Sequence, residues 1–219
     1  MNKSITITYW LGGFVSCAGL LVMVGWFFDI DILKSIVPGF VTMKFTTALS
    51  FFVSGILLWS LAHFIARESD IAQFLIATGI IIVFLVMSTL LFSYLLDFRT
   101  GLEDLFVQEE VITEETVAPG LPSLGTMVAF ILVVVPSTSI FLARNDAANI
   151  IYSINGILII VLGAIALLGY AIKTPALYYF IPGVSTGMAI HTALLFVLLG
   201  IGYLYLGNAV KHANDLYAH

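Results

Sequence analysis

Two long apolar segments of the chain begin with polar side chains that could bind a ligand. Lys44 follows Met43 directly, and His191 lies three residues after Met188. An amine, an imidazole and hydroxyl groups at the start of a helix can bind acceptor oxygens or negative charge, which the free N–H groups of the helix end also favour. We predict a shared ligand-binding pocket with Met43 and Met188 at its edge. Its predicted lining is Lys44, Thr46, Thr47, His191 and Thr192.

A packing interpretation of the same residues stays open. A histidine among apolar helices can hydrogen-bond a neighbouring helix without any ligand, and methionine side chains fill irregular gaps between packed helices. No second histidine shares the segment of His191 at the spacing of metal ligands. We therefore predict no metal site at this position.

Sequence motifs of catalysis are missing from the chain. It contains no phosphate-binding glycine loop, no H-E-x-x-H pair and no G-x-S-x-G turn. The one cysteine, Cys17, excludes an intramolecular disulfide. Arg, Asp and Glu are absent from the centres of the long apolar segments, where proton relays place them. We predict a protein that is not an enzyme, and its residues name no cofactor.

The composition indicates that lipid is the solvent of most of the chain. Hydrophobic residues make up 61% and charged residues 10%, against about 25% charged residues in a soluble domain. A helix needs about 20 apolar residues to cross the hydrocarbon core of a bilayer. The sequence predicts one all-α integral membrane domain, residues 1–219, with six spans. The predicted spans are residues 9–28, 45–65, 71–96, 125–142, 150–172 and 188–206.

A pattern of helix, loop and helix occurs three times along the chain, which is typical of one structural unit used repeatedly. In each copy an aromatic residue ends the first helix, a proline lies in the loop and a methionine opens the second helix. The aromatics are Trp26, Tyr94 and Tyr170, the prolines Pro38, Pro122 and Pro182, and the methionines Met43, Met127 and Met188. We predict three helix pairs (residues 7–66, 71–143 and 147–209) around a pseudo-threefold axis, with the aromatics at the outer membrane interface.

The distribution of charge gives a preferred orientation. Four Lys or Arg residues lie on each predicted side, so their number alone decides nothing. The loops around Arg67 and Arg144 are short, which is where positive charge matters most, and nine of the thirteen acidic residues lie on the opposite side. We predict that both termini and these two loops are cytoplasmic and that the acidic residues 103–115 face outward. The negative charge disfavours a nucleic-acid partner.

Two phrases of the sequence resemble a bacterial membrane-sensor module. Residues 43–51 and 188–196 both read M-x-x-x-T-A-L-x-F, and in that module the same opening recurs ahead of PAS, histidine-kinase and diguanylate-cyclase output domains. We expect this chain to differ from that module in having no output domain after His219. The resemblance implies a multi-pass module of the bacterial inner membrane. It would receive a signal at the outer face and pass it through the last helix to a membrane or cytoplasmic protein partner.

Two other functions stay open at this point. The chain could be a small accessory subunit of a larger membrane complex, in which the helices pack against partners, lipids or pigments. It could also be a transporter of small molecules that uses the pseudo-symmetric axis as a pathway. Membrane lipids are partners in each case, and the sequence leaves the oligomeric state open.

Overall fold

The computed structural model describes residues 2–36, 40–106, 119–142, 147–179 and 186–217, and in these ranges the chain is helical and has no strand. The predicted all-α class is confirmed, and six helices are long and apolar enough to cross a membrane. The helices of these ranges are α1 Lys3–Phe27, α2 Asp31–Lys34, α3 Phe45–Arg67, α4 Asp70–Leu95, α5 Leu124–Leu142, α6 Ala147–Ala171, α7 Ala176–Tyr179 and α8 Ile190–Tyr217.

Each predicted span corresponds to one long helix, and the main differences lie at the ends of the chain. Helix α1 begins at Lys3, six residues before the predicted span, because Asn2 caps it. The Asn2 side-chain oxygen accepts a hydrogen bond from the Ser4 N–H at 3.0 Å. Helix α8 continues past residue 206 to Tyr217. Both helices continue through polar residues beyond their apolar parts. A prediction based on hydrophobic residues alone therefore misses these ends.

The six spanning helices pack in a closed ring. Helix α1 contacts α3, and the contacts continue through α4, α5, α6 and α8 back to α1. Helices α3, α5 and α8 are the more buried ones, and α3 also contacts both α5 and α8 inside the ring. Helices α1, α4 and α6 are the outer ones and present large apolar side chains to the surroundings. The relation of the three pairs by a threefold rotation stays a prediction.

Three phenylalanines fill the centre of the ring. The ring centroids of Phe51, Phe130 and Phe196 lie 4.8 to 4.9 Å from one another, and all three side chains are fully buried. One turn earlier on the same three helices are Thr47, Thr126 and Thr192, which are also buried. Because residues four apart share a helix face, the threonines form a polar layer beside the aromatic one.

Glycines bring two of the three outer helices close to their inner partners. A Cβ atom on Gly55 of α3 would lie 2.4 Å from the Ser16 nitrogen of α1, and one on Gly163 of α6 would lie 2.5 Å from the Ala193 oxygen of α8. Small residues at such contacts let membrane helices approach closely. Gly79 of α4 is different, because its nearest neighbours are side-chain atoms of Leu57 at 3.5 Å.

All three outer helices end in the same backbone turn. The N–H groups of Ile30, Phe98 and Thr174 each bond the carbonyl five residues earlier, at 2.8, 3.1 and 2.8 Å. The residue before each of them has a positive φ. These residues are Asp29, Asp97 and Lys173, with φ of 54°, 49° and 55°. A left-handed residue with such a 6→1 bond is the usual way to satisfy the last carbonyls of a helix, although glycine would adopt this φ with less strain.

The helix starts give the internal alignment of the second repeat. Helices α3 and α8 begin two residues after Met43 and Met188, and α5 begins two residues after Pro122. The predicted pairing of Met127 with the other two methionines is displaced by five residues from this alignment, more than the usual uncertainty of a helix end. Four sequence predictions lie outside the described residues: Pro38, Pro182, Arg144 and the 107–115 part of the acidic segment.

Candidate ligand-binding site

The predicted site residues lie at the end of the bundle where α1, α4 and α6 end and α3, α5 and α8 begin, which we call the long-loop end. In the first repeat, Trp26 at the end of α1 holds the start of α3. Its Nε1–H donates to the Met43 carbonyl oxygen at 2.8 Å, and the Met43 N–H donates to the Lys34 carbonyl at 2.9 Å. The Lys34 ammonium lies over the Trp26 ring, 5.3 Å from its centroid. We call this set of contacts an aromatic clasp.

The third repeat contains the equivalent aromatic clasp with different side chains. The Tyr170 hydroxyl donates to the Met188 carbonyl oxygen at 2.8 Å, and the Met188 N–H donates to the Tyr178 carbonyl at 2.8 Å. Tyr178 takes the position of Lys34 and stacks on Tyr170 with 4.1 Å between the ring centroids. The two methionine backbones are thus fixed by the aromatics that the repeat pattern had singled out, and the methionine side chains are buried.

Every predicted polar site residue is buried. Lys44, Thr46, Thr47 and Thr192 are at most 3% exposed, and His191 is 7% exposed. Lys44 directly precedes α3, and Thr46 and His191 are each the second residue of an inner helix. Burial of an amine, an imidazole and hydroxyls at one end of a membrane bundle is costly unless they are paired or bind something.

Several of these buried groups have no hydrogen-bond partner among the described residues. They include both ring nitrogens of His191, the Thr46 Oγ1 and the Oγ of Ser50, one turn after Thr46. A neutral imidazole has one donor and one acceptor nitrogen, so His191 leaves both functions unused. Sequence reasoning missed Ser50, although its spacing of four residues from Thr46 indicates a shared helix face.

The predicted lining residues lie in two places: some are at the axis of the bundle, and others are beside it, between neighbouring helices. Thr47 and Thr192 lie one turn before Phe51 and Phe196 and therefore belong to the layer at the axis. Thr46 is one residue earlier, about 100° around the helix, on the face that carries Val53 and Leu57 toward α4. His191 lies on the corresponding face of α8. The structure thus brings the two axial threonines into one layer, and a pocket shared by all five residues stays a prediction.

The second repeat adds hydroxyl groups that sequence reasoning missed. The Ser123 Oγ accepts a hydrogen bond from the Thr126 N–H at 3.1 Å and lies 2.7 Å from the Thr126 Oγ1. Ser123 thus caps α5, which explains why that helix begins at Leu124. The signal in the sequence was a serine three residues before a threonine. Tyr94, the predicted interface aromatic of this repeat, is partly buried against the core.

Charged groups around the first clasp are paired. The Lys34 ammonium lies 2.6 Å from Asp29 Oδ1 and 2.7 Å from Asp31 Oδ1. Burial acts to lower the pKa of Lys34, but hydrogen bonds and charge from the two carboxylates outweigh it and raise that pKa. The hydrogen bond and charge of Lys34 hold the pKa of Asp29 below its usual value. Lys34 and Asp29 are therefore ionised at neutral pH.

The described residues contain no group of three His, Cys, Asp or Glu side chains that could hold a metal ion. Cys17 is exposed on the surface of α1. Comparison of the chain with protein-family models, with curated proteins and with solved structures gave no match. The chemistry of the site therefore has to be argued from the residues themselves.

Proposed function

We propose that this chain is a non-enzymatic membrane module that binds a ligand at the long-loop end and passes the signal to a protein partner. The supporting observation is the buried His191 imidazole, whose two nitrogens have no hydrogen-bond partner among the described residues. An unpaired buried polar group costs about 1–3 kcal/mol. A ligand that hydrogen-bonds the imidazole removes this cost, and Thr46 offers a second group with the same need.

The surrounding chemistry favours a ligand with acceptor oxygens or negative charge. Helices α3 and α8 both begin at the long-loop end, so their free N–H groups point toward it. The helix dipoles add partial positive charge at the same end, and the Lys44 amine is buried there. A small molecule or a lipid headgroup that carries a carboxylate, phosphate or several hydroxyls has these properties.

The aromatic layer at the axis favours reception of a signal over transport. Phe51, Phe130 and Phe196 are in mutual contact and have no exposed surface. Because protein interiors are close-packed, a solute that reached the threonine layer would have to displace all three rings to continue. The axis is therefore closed to a solute, and the transporter alternative, which used the axis as its pathway, loses support.

Helix α8 offers a direct route for the signal. It carries His191 in its first turn and continues to Tyr217 at the opposite end of the bundle. Its 28 residues correspond to about 42 Å at the usual helical rise. A ligand that moves or stabilises the first turn of α8 therefore acts on the same rigid element that a partner would contact at the other end.

Orientation and location are part of the proposal. In it the chain lies in the bacterial inner membrane with both termini in the cytoplasm, as the positive-inside rule favours. A variant with Cys17→Ala and a single new cysteine at Ser69 or at Asp104 can be labelled in cells with an impermeant thiol reagent. We expect labelling of Asp104→Cys in intact cells and of Ser69→Cys only after lysis. Labelling of both in intact cells contradicts a six-span arrangement.

The test of ligand binding is purification in mild detergent followed by mass spectrometry of the retained small molecules and lipids. His191→Leu should reduce retention of the ligand found with the unaltered protein at least tenfold, and Thr46→Val tests whether the same ligand also contacts α3. Neither variant should unfold more easily without ligand, because each removes an unpaired buried polar group. His63→Leu is a matched control, since His63 lies near the opposite end and hydrogen-bonds Tyr9 at 3.1 Å.

Two results would overturn the proposal. The unaltered protein could retain no molecule that His191→Leu releases. Alternatively, His191→Leu could unfold more easily without ligand, which would mean that the imidazole is already paired within the chain. Co-purification of a stoichiometric set of membrane proteins, with no small ligand, would instead favour the accessory-subunit alternative.

A further inference from the structure

A groove opens on the outer side of α4, beneath the loop that follows this helix. It encloses about 440 Å³ and is lined by Leu85, Val86 and Thr89 of α4 and by Thr100, Gly101, Leu102 and Leu105 of the loop. Leu85 is 57% exposed in a helix that is long and apolar enough to span a membrane. The groove therefore faces the region that acyl chains occupy in a bilayer.

The loop that forms one wall of the groove is fixed in place by a buried carboxylate. Glu103 is 5% exposed, and its carboxylate contacts the Ser93 hydroxyl near the end of α4. The Thr100 hydroxyl lies 3.2 Å from both Glu103 oxygens. The Leu102 N–H in turn donates to the Thr100 Oγ1 at 3.4 Å. The groove is thus part of a bonded structure.

The other two repeats pack the loop differently against the end of the outer helix. In the first repeat the Cβ of Leu33 lies so near Gly25 that a Cβ on this glycine would come within 2.5 Å of it. In the third repeat the corresponding distance, from Gly169 to Leu177, is 2.8 Å. The second repeat has Ser93 at the glycine position, and Glu103 packs on it. A leucine thus packs directly on a glycine in the first and third repeats, whereas a serine and a carboxylate are in contact at the corresponding place of the second.

The groove has an apolar part at membrane depth, and a charged residue follows the helix next to its loop wall. From Ser93 to Leu85 the helix runs about 12 Å toward the middle of the bilayer. Arg99, next to Thr100, is exposed, and one of its terminal nitrogens donates to the Asp104 carboxylate at 2.6 Å and to the Pro119 carbonyl oxygen at 3.5 Å. A guanidinium has five N–H donors, so these two contacts through one nitrogen leave donors on the other nitrogens that can bind phosphate.

We propose that this groove binds one membrane phospholipid. An acyl chain lies along α4 between Leu85 and Leu105, and the phosphate contacts Arg99. This site is separate from the long-loop-end ligand of the previous subsection, since its residues belong to α4 and the loop after it. A lipid bound at this position would fill the groove between α4 and the loop that follows it.

The full-length protein, purified from membranes in mild detergent, is the sample for the test, with native mass spectrometry of bound phospholipid as the readout. Leu102→Trp fills the groove from the loop and Leu85→Trp fills it from the helix, so two variants probe the same space. Each should lower the fraction of protein with one bound phospholipid at least fivefold. Ile81→Trp, which alters an exposed residue one turn away on α4, should leave that fraction unchanged. Arg99→Gln should lower it about threefold through loss of the phosphate contact.

Three outcomes would overturn the proposal. Equal retention in both tryptophan variants and the unaltered protein excludes the groove as the site. Equal loss in Ile81→Trp reduces the bound lipid to an adventitious annular one only. A retained molecule without phosphate, or retention unaffected by Arg99→Gln, excludes the phospholipid assignment. Circular dichroism and size-exclusion chromatography of each variant identify a misfolded sample, and in that case the other tryptophan variant decides.

Discussion

The first and third repeats join their helices in the same way, and the second repeat joins them differently. At the ends of α1 and α6, an aromatic side chain donates to the carbonyl of a buried methionine at 2.8 Å in both cases. At the end of α4 the backbone turn is the same, with Asp97 in the left-handed conformation, but the bonds that follow are made by Ser93, Thr100 and Glu103.

The comparison distinguishes two tasks of these loops: to satisfy the last carbonyls of the outer helix, and to fix the start of the next inner helix. All three turns satisfy the last carbonyls of a helix, which any repeat must do. The aromatic clasp has a second purpose, because it fixes the start of the next inner helix. Helix α5 instead has its own cap in Ser123, so its start does not depend on an aromatic clasp. The loop before it contains an acidic insertion and forms one wall of the groove.

The largest expected effect on the free energy of unfolding concerns the glycines between outer and inner helices. Gly163→Ala places a Cβ 2.5 Å from a backbone oxygen of α8 and should lower the free energy of unfolding by about 1–3 kcal/mol. Gly79→Ala in α4 meets only side-chain atoms at 3.5 Å or more and should be neutral, or stabilising by up to about 1 kcal/mol. Thermal unfolding in detergent measures both, and equal losses would contradict the difference between the repeats.

Removal of one hydrogen bond of the aromatic clasp should have an intermediate effect on the free energy of unfolding. Tyr170→Phe keeps the ring stacked on Tyr178 but leaves the Met188 carbonyl without its donor, so we expect a loss of about 1 kcal/mol. Tyr94→Phe is the matched control in the second repeat and should change the unfolding free energy by less than about 0.5 kcal/mol. If Tyr94→Phe proves as costly as Tyr170→Phe, the second repeat contains a clasp as well.

The buried Glu103 carboxylate gives the second repeat its own pH dependence. Burial raises the pKa of Glu103, but hydrogen bonds from Ser93 and Thr100 outweigh it, and the net pKa is lowered. The carboxylate therefore stabilises the fold above its unfolded pKa of 4.5, and this contribution is lost as the pH falls through the lower, folded value. Unfolding measured from pH 7 to 3 should show a drop in stability that Glu103→Gln removes. An unaltered pH profile in that variant assigns the drop to other carboxylates.

The sequence predicted the membrane helices well because hydropathy and length decide them locally. The six spans and the all-α class needed only composition and the length of the apolar segments. The alignment of the second repeat could not be predicted in the same way, since Met127 imitates the methionine of the other copies while Ser123 fixes the start of α5 five residues away from that alignment. The hydrogen bond from the Thr126 N–H to the Ser123 hydroxyl, and not the position of Met127, therefore marks where α5 begins.

The candidate site could be predicted only as a set of residues. The structure buries Lys44 and His191, and their binding of a ligand stays a prediction. Which helix face each side chain takes depends on the packing of three inner helices, and sequence spacing within one helix does not contain that information. For the same reason the hydroxyls of Ser50 and Thr126 were missed, although Ser50 lies one turn after Thr46 and Thr126 lies in the first turn of α5.

The smallest effect concerns the charges on the first clasp. Lys34→Gln removes the ion pairs with Asp29 and Asp31, whose carboxylates are exposed and hence screened by salt. We expect a loss of about 0.5 kcal/mol or less at low ionic strength, and none at high salt. Lys173→Gln is the control, because Lys173 takes the left-handed turn position of the third repeat, where the first has Asp29. It should have no effect at either ionic strength.

The pH dependence of the same clasp has two limits. The pKa of Lys34 is raised, so its contribution is present below its unfolded pKa of 10.5 and is lost as the pH rises through the folded value. The pKa of Asp29 is lowered, so its contribution is present above 3.8 and is lost as the pH falls. Between these limits the difference between Lys34→Gln and the unaltered protein should not vary with pH. A difference that changes between pH 6 and 8 would mean that a group with a pKa in that range, and not the two carboxylates, is the partner of Lys34.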